Sequence, residues 1–254
     1  MTNHFSSQMI ANSHILDLAS ILSCSRSCLN IIASPKGMVA GCMEGLRLRW
    51  DDSTIRDSDG GGQIVTGIPI ANDLEWIDEC TTDARYILIV EKESVFDRLC
   101  EDRIWASIPL IVICGRGFPD MATRKLVVRL SHKFHLTLLG LFDYNVGGYL
   151  VLQAYTNRSM NVLWLGLHRK HLELLKVEPY CVDITAAMTP IKPKAMNTLK
   201  RCIAFEEEEH KRELERMMAL SMSVELQVLN SSHRHGHELL TPFVARLINM
   251  RQWI

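Results

Sequence analysis

Between residues 86 and 166, four short runs of branched apolar residues recur at regular intervals. They are YILIV (Tyr86–Val90), PLIVIC (Pro109–Cys114), LTLLGLF (Leu136–Phe142) and VLWLGL from Val162. Each is too short for a buried helix and rich in residues that suit a strand buried on both faces. The segments between them change period. Val95, Phe96, Leu99 and Cys100 share one helical face, as do Ala122, Leu126, Val127 and Leu130, with Asp120 placed as an N-cap. GGYLVLQAY supplies a third helix. Strand alternating with helix at this spacing predicts an α/β fold built on a doubly wound parallel sheet.

That architecture says where to look for chemistry, because ligands in open parallel sheets bind beyond the carboxyl ends of the strands. Two of the predicted strand ends carry acids. The first ends Val90-Glu91 and the third ends Phe142-Asp143. Hard oxygen ligands at one rim suit Mg2+, which takes a few carboxylates and keeps several waters, and such an ion can neutralise charge developing on a phosphate. An acid just after a buried strand is also a common helix N-cap, so spacing alone leaves both readings open.

The flanking regions are less regular. Residues from about 11 to 23 show helical periodicity in Ile15, Leu16, Leu18, Ile21 and Leu22. SCLNIIASPKGMVAG reads as two short strands about the turn Pro35-Lys36-Gly37. Residues 51–85 read as an acidic connector or surface hairpin containing DSDGGGQ. The tail is helical, with Glu207–Lys211 and Glu208–Arg212 at i,i+4 spacing and Thr241-Pro242 as the N-cap and N1 of a last helix.

A formal net charge of −1 gives no bulk attraction to nucleic acid, so any DNA contact needs a local basic face. No apolar run approaches the roughly 20 residues that span a bilayer, and the start MTNHFSSQMIANS lacks the pattern of a secretory signal. The chain is read as intracellular with no membrane partner, and its eight cysteines as free thiols. Cys24 and Cys28 lack a second ligand pair at zinc-finger spacing, and His233, His235 and His237 read as exposed loop residues.

Four motifs in order and register resemble a known family: VEKES at 90–94, GRGFPDMATR at 115–124, FDYNVGG at 142–148 and WLGL at 164–167. They resemble the Toprim domain of the A-type subunit of topoisomerase VI and of the related meiotic double-strand-break transesterase. VELQVL and TPFVARLI in the tail extend the similarity. CSRSCLNIIASPKGMVAG is similar to the end of the family's winged-helix domain. The resemblance implies the remnant of a winged helix over 1–50, a connector over 51–85, and a Toprim domain with a C-terminal helical extension over 86–254. It implies a nuclear protein acting on double-stranded DNA. The implied reaction is attack by a tyrosine hydroxyl on a phosphodiester, giving a 5′-phosphotyrosyl link. Glu91, Asp143 and Asn145 stand at the family's Mg2+-holding positions. Arg116 and Arg124, with Lys92, stand on the DNA side. The implied partners are a second copy or a full-length family member, forming a homodimer or heterodimer, and a topoisomerase VI B-like subunit.

Three departures from the family pattern matter. Asn145 stands where the family has a second aspartate, so one charge is missing. The nucleophilic tyrosine belongs upstream of the Toprim domain, whereas the five tyrosines here are Tyr86, Tyr144, Tyr149, Tyr155 and Tyr180, so the chain is read as truncated at its N-terminus. Between Tyr155 and WLGL roughly a strand's worth of chain is missing. Two other readings follow: a non-catalytic DNA-binding or dimerisation module of the same family, and an unrelated phosphate or nucleotide enzyme with a receiver-like fold. The second lacks a Walker-type loop and a GxGxxG after a strand.

Overall fold

The computed structural model describes the chain except residues 1–6, 25, 32–35, 44–47, 50–54, 57–63, 71–79, 157–159, 178, 207 and 231–238. It divides into two compact units, Met1–Pro35 and Lys36–Ile254. The first contains helix α1 (Gln8–Ile21), opened by the Ser7 hydroxyl accepting from Ile10 N–H, and a short 3-10 turn at Ser27–Leu29. His233, His235 and His237 lie outside the described residues.

The second unit is built on a six-stranded sheet. Its strands are β1 (Met38–Gly41), β4 (Ile64–Pro69), β5 (Tyr86–Val90), β6 (Leu110–Cys114), β7 (Thr137–Leu141) and β8 (Val162–Gly166), in the order β4-β1-β6-β5-β7-β8. The two-residue strands β2 (Leu48–Arg49) and β3 (Ile55–Arg56) pair separately. β6, β5, β7 and β8 run parallel, as the alternation predicts. β1 and β4 extend the sheet antiparallel. Met38–Gly41 is paired along both edges, and residues 32–35, which the hairpin reading needs for its other arm, lie outside the described residues. It inserts between β4 and β6, because Val39 and Ala40 are fully buried there and make a better core layer than a hairpin surface. Ile64–Pro69, inside the segment expected to be a connector, is likewise a sheet strand.

Helices α2 (Glu93–Glu101), α3 (Met121–Phe134) and α4 (Val146–Tyr155) make the crossovers. α2 buries Val95, Phe96, Leu99 and Cys100; α3 buries Ala122, Leu126, Val127 and Leu130. Both faces are the ones the periodicity marks. Asp120 caps α3 by accepting from Thr123 N–H at 2.7 Å, and its other oxygen accepts from Lys36 N–H at 3.0 Å.

After β8 come α5 (Arg169–Leu175), the strand β9 (Met188–Pro190), α6 (Pro193–Phe205), α7 (Glu208–Leu220), β10 (Met222–Val224) and α8 (Leu240–Asn249). β9 and β10 form a small antiparallel ladder. One bridge ties it to the main sheet: Tyr144 N–H donates to Val224 O at 2.8 Å and Val224 N–H to Tyr144 O at 3.0 Å. Ile254 pairs both backbone groups with Trp164 of β8. Among the described residues no helix is long and apolar enough to cross a membrane.

The strand order places a reversal beside β5. The chain leaves β5 through α2 to reach β6 on one side; α3 then carries it across to β7 on the other side, and α4 onward to β8. A crevice is expected at the carboxyl ends of β5 and β7, where the winding changes direction.

Candidate metal centre

Glu91 follows β5 directly and Asp143 follows β7 by two residues. Val90 is paired with Leu141, so the two acids leave the sheet side by side at the reversal point. Asp143 N–H donates to Glu91 Oε2 at 3.1 Å. The geometry thus brings Glu91 and Asp143 to one rim, as the two strand ends predict. Burial pushes the Glu91 carboxyl up to about 7, and the neighbouring charge of Asp143 adds to the rise. An acid whose proton affinity is raised by burial and by a neighbouring carboxylate is one that a cation would relieve.

Asp143 is almost wholly buried. Its Oδ1 accepts from Leu226 N–H at 2.8 Å and its Oδ2 lies 3.0 Å from Lys92 Nζ. Burial raises its proton affinity, and the Leu226 N–H and Lys92 oppose this only in part. Lys92 is shifted up as well. Burial works against its charge, but its bonds to Glu225 and Asp143 outweigh that. The two shifts point to different preferred states for one ion pair. They reconcile because the carboxylate is the more deeply buried partner and bears most of the desolvation.

Lys92 is held by three oxygens: Asp143 Oδ2 at 3.0 Å, Glu225 Oε2 at 2.9 Å and Gln227 Oε1 at 2.6 Å. Glu225 and Gln227 flank Leu226, whose N–H binds Asp143, and all three follow the bridge at Val224. Neither residue is found by reading strand ends, since each comes from a segment about 80 residues further along the chain. The only signal for them is the VELQVL stretch.

Asn145 sits beside the pair as the N-cap of α4. Its Oδ1 accepts from Gly148 N–H at 2.8 Å, and its Nδ2 lies 3.4 Å from Asp143 Oδ2. One lone pair of the amide oxygen is thus engaged by the helix, and the other remains as a potential ligand. Gly148 packs against the backbone of Asp143: a Cβ there would lie 2.4 Å from Asp143 O and 3.1 Å from Glu91 Oε2.

The basic candidates separate. Lys92 lies at the rim. Arg116, in the left-handed conformation in the loop after β6, bonds through its guanidinium to Glu93 in the first turn of α2. Lys36 Nζ donates to its carbonyl at 3.3 Å. Arg124 is half-buried in the first turn of α3, and its Nε is enclosed without a hydrogen-bond partner among the described residues. The tyrosines are also placed. Tyr144, Tyr149, Tyr155 and Tyr180 are buried, and Tyr86 is half-buried at the start of β5.

Among the described residues no three Asp, Glu, His or Cys side chains are already gathered as a metal cage. The donor set nevertheless fits a hard divalent cation, with two rim carboxylates and a side-chain amide oxygen, and the Lys92 ammonium marks Asp143 as a place that takes positive charge.

The family model for the Toprim domain shared by Spo11 and the A subunit of topoisomerase 6 matches residues 86–237. The chain belongs to this family. Toprim domains generally bind a divalent metal ion, typically Mg2+. Meiotic recombination protein SPO11-2 of Arabidopsis thaliana is 33% identical over 268 residues, covering 99% of this chain and 66% of that protein. The A3 subunit of DNA topoisomerase 6 from Oryza sativa subsp. indica is 30% identical, covering 98% of this chain and 57% of the relative. Meiotic recombination protein SPO11 of Homo sapiens is 29% identical, covering 89% and 58%. The chain therefore spans about two-thirds or less of the length of these relatives.

Proposed function

We propose that this chain acts in meiotic DNA double-strand-break formation, contributing a Toprim cation site to a tyrosyl transesterification. The observation that carries the reading is the meeting of Glu91 and Asp143 at the sheet's reversal point in a Spo11-family chain. Glu91 and Asp143 would hold Mg2+, with the Asn145 amide oxygen beside them. The ion would supply charge neutralisation at the scissile phosphate. Lys92 lies at that rim, Arg116 follows the neighbouring strand β6, and arginine's planar fork suits phosphate. Asp143 is held by Leu226 N–H, so its carboxylate is oriented in advance.

The nucleophile comes from outside residues 1–254. Four of the five tyrosines are enclosed in the core, and burial pushes the hydroxyl proton affinity of Tyr144, Tyr149 and Tyr155 well up. A tyrosine from a second subunit would attack the phosphodiester. The new O–P bond would form as the bond to the 3′ oxygen breaks, leaving a 5′-phosphotyrosyl link and a free 3′ hydroxyl. The working assembly is then a heterodimer of this chain with a full-length, tyrosine-bearing family member on double-stranded DNA in the nucleus, joined by a B-like partner. Of residues 1–50, those before Lys36 would be what remains of a winged-helix unit, since Met38–Gly41 belongs to the sheet.

Co-expression with a tyrosine-bearing family member whose own Toprim acids are replaced tests this. A covalent protein–DNA adduct and single-strand nicks are expected, both lost on Glu91→Gln in this chain. No adduct with an otherwise competent partner would overturn the catalytic reading. The second reading, a non-catalytic DNA-binding or dimerisation module, has its own support: Asn145 brings no charge, and Lys92 already neutralises Asp143. Its signature is DNA binding independent of Mg2+ and unchanged by Glu91→Ala.

A further inference from the structure

The family pattern leaves this site one charge short, because Asn145 is neutral. The structure holds another acid at the same rim. Glu225 stands beside the Asp143 carboxylate with Lys92 between them, 2.9 Å from one and 3.0 Å from the other. Its position follows from the backbone rather than from a long side chain reaching in. Val224 is bridged to Tyr144, and Leu226 N–H binds Asp143 Oδ1. These bonds on either side of residue 225 fix its Cα at the rim, while its carboxylate stays more than half exposed at 58%.

Lys92 shows what that arrangement collects. A single ammonium has three N–H donors, and here it meets three oxygens from Asp143, Glu225 and Gln227. Two carboxylates and an amide oxygen converge on one positive charge. This is the same oxygen chemistry that a divalent ion takes. The proximity is felt further in, since the charge of Glu225 raises the proton affinity of both Glu91 and Asp143.

We propose that Glu225 is the third acid of the cation site, supplying the charge that Asn145 lacks, and that Lys92 stands in the ion's place in the metal-free protein. On this account Lys92 would leave Asp143 when a cation is held, and the Glu225 carboxylate would turn from the ammonium to join Glu91 and Asp143. Gln227 keeps a hold on the released lysine. The inference rests on the reading of Glu91 and Asp143 as a cation site.

The test is Mn2+ binding to the full 254-residue chain, followed by the electron paramagnetic resonance signal of the free ion, without DNA and without any activity readout. The variants are Glu91→Gln, Glu225→Gln, Lys92→Met and Asn145→Asp. Glu91→Gln is expected to abolish specific binding. Glu225→Gln is expected to weaken it about tenfold, the usual scale for losing a charged partner of a bound metal. Lys92→Met, which removes the competing charge, is expected to tighten binding about tenfold. Asn145→Asp in the Glu225→Gln background is expected to restore most of the loss. Glu225 is exposed, so its variant should fold as the parent does, checked by far-ultraviolet circular dichroism.

Unchanged affinity in Glu225→Gln, with binding still lost in Glu91→Gln, would overturn this inference and leave the two-acid site standing. Weaker binding in Lys92→Met would overturn the stand-in role. Binding that survives Glu91→Gln, or no binding in any variant at millimolar Mn2+, would remove the cation site itself and this inference with it.

Discussion

Replacing Gly148 with alanine is expected to cost about 3 kcal/mol of stability, lowering the melting temperature by roughly 6–12 °C for a unit of this size, and to abolish divalent-ion binding. The added Cβ would stand 2.4 Å from the carbonyl oxygen and 3.0 Å from the nitrogen of Asp143. Both are backbone atoms, fixed by the β7 end and by the bridge to Val224. Neither can rotate away, so α4 must lift from the sheet. Lifting it strains the Gly148 N–H to Asn145 Oδ1 bond and moves the backbone that orients Asp143. The same Cβ approaches Glu91 Oε2 to 3.1 Å, so one methyl group disturbs both acids. Gly147 is the control. A Cβ there meets only Asn145 Oδ1 at 3.1 Å, the end of a side chain that can yield, and alanine is the better helix former. Gly147→Ala should therefore change stability by less than about 1 kcal/mol. Thermal melts of both variants, read beside Mn2+ titrations, check this. Equal losses in the two would mean that close packing at Asp143 is not what position 148 provides.

Acid should unfold the protein through a buried histidine pair. His168 and His171 are enclosed at the start of α5, their rings stacked at 4.8 Å, with Trp164 edge-on to His168. Burial lowers both, most firmly for His168, and for His171 the value falls to about 3, with nearby Lys170 adding to the effect. In the unfolded chain each takes a proton near pH 6.5. Above that pH both states are neutral and the packing contributes fully. Below it the unfolded state binds protons that the native state refuses, so stability falls as pH drops. For His171 alone the loss between pH 6.5 and 4.5 is about 2 kcal/mol, and His168 acts in the same direction.

Glu91 works the other way. Its native value near 7 lies above the unfolded one, so its contribution is present at low pH and is lost as pH rises through about 4.5 to 7. In metal-free urea titrations, the wild-type slope between pH 4.5 and 6.5 should be close to one proton per molecule. Glu91→Gln removes the opposing group, steepening the slope toward two protons and adding roughly 1–3 kcal/mol of stability at pH 7.5. A slope unaffected by Glu91→Gln would mean that Glu91 is not held protonated by its surroundings.

Much of this site could be read from residue order. The strands were legible because each is a short β-branched run, and the inward faces of α2 and α3 because burial follows a single helical stripe. The meeting of Glu91 and Asp143 follows from topology, since acids at the ends of neighbouring parallel strands share a rim. What escaped depends on contacts between distant segments. β1 joins the sheet from before the parallel core, and periodicity does not name its partners. Glu225 arrives through one bridge at Tyr144. Asn145 was expected beside the cation; its oxygen is also the cap of α4, a local bond that competes for the same lone pairs. Thr241 was expected to cap the last helix. Instead α8 begins at Leu240, and the Thr241 hydroxyl donates to Asp102 Oδ2 at 2.5 Å. A tertiary acceptor there outweighed the cap.

A crystal of the chain soaked in Mn2+, with data collected at the manganese edge, examines the rim itself. An anomalous peak touching the carboxyl oxygens of both Glu91 and Asp143, with the Lys92 ammonium moved off Asp143, is the result expected. A crystal saturated with Mn2+ that shows no peak between these two acids and an undisturbed Lys92–Asp143 pair would contradict the account.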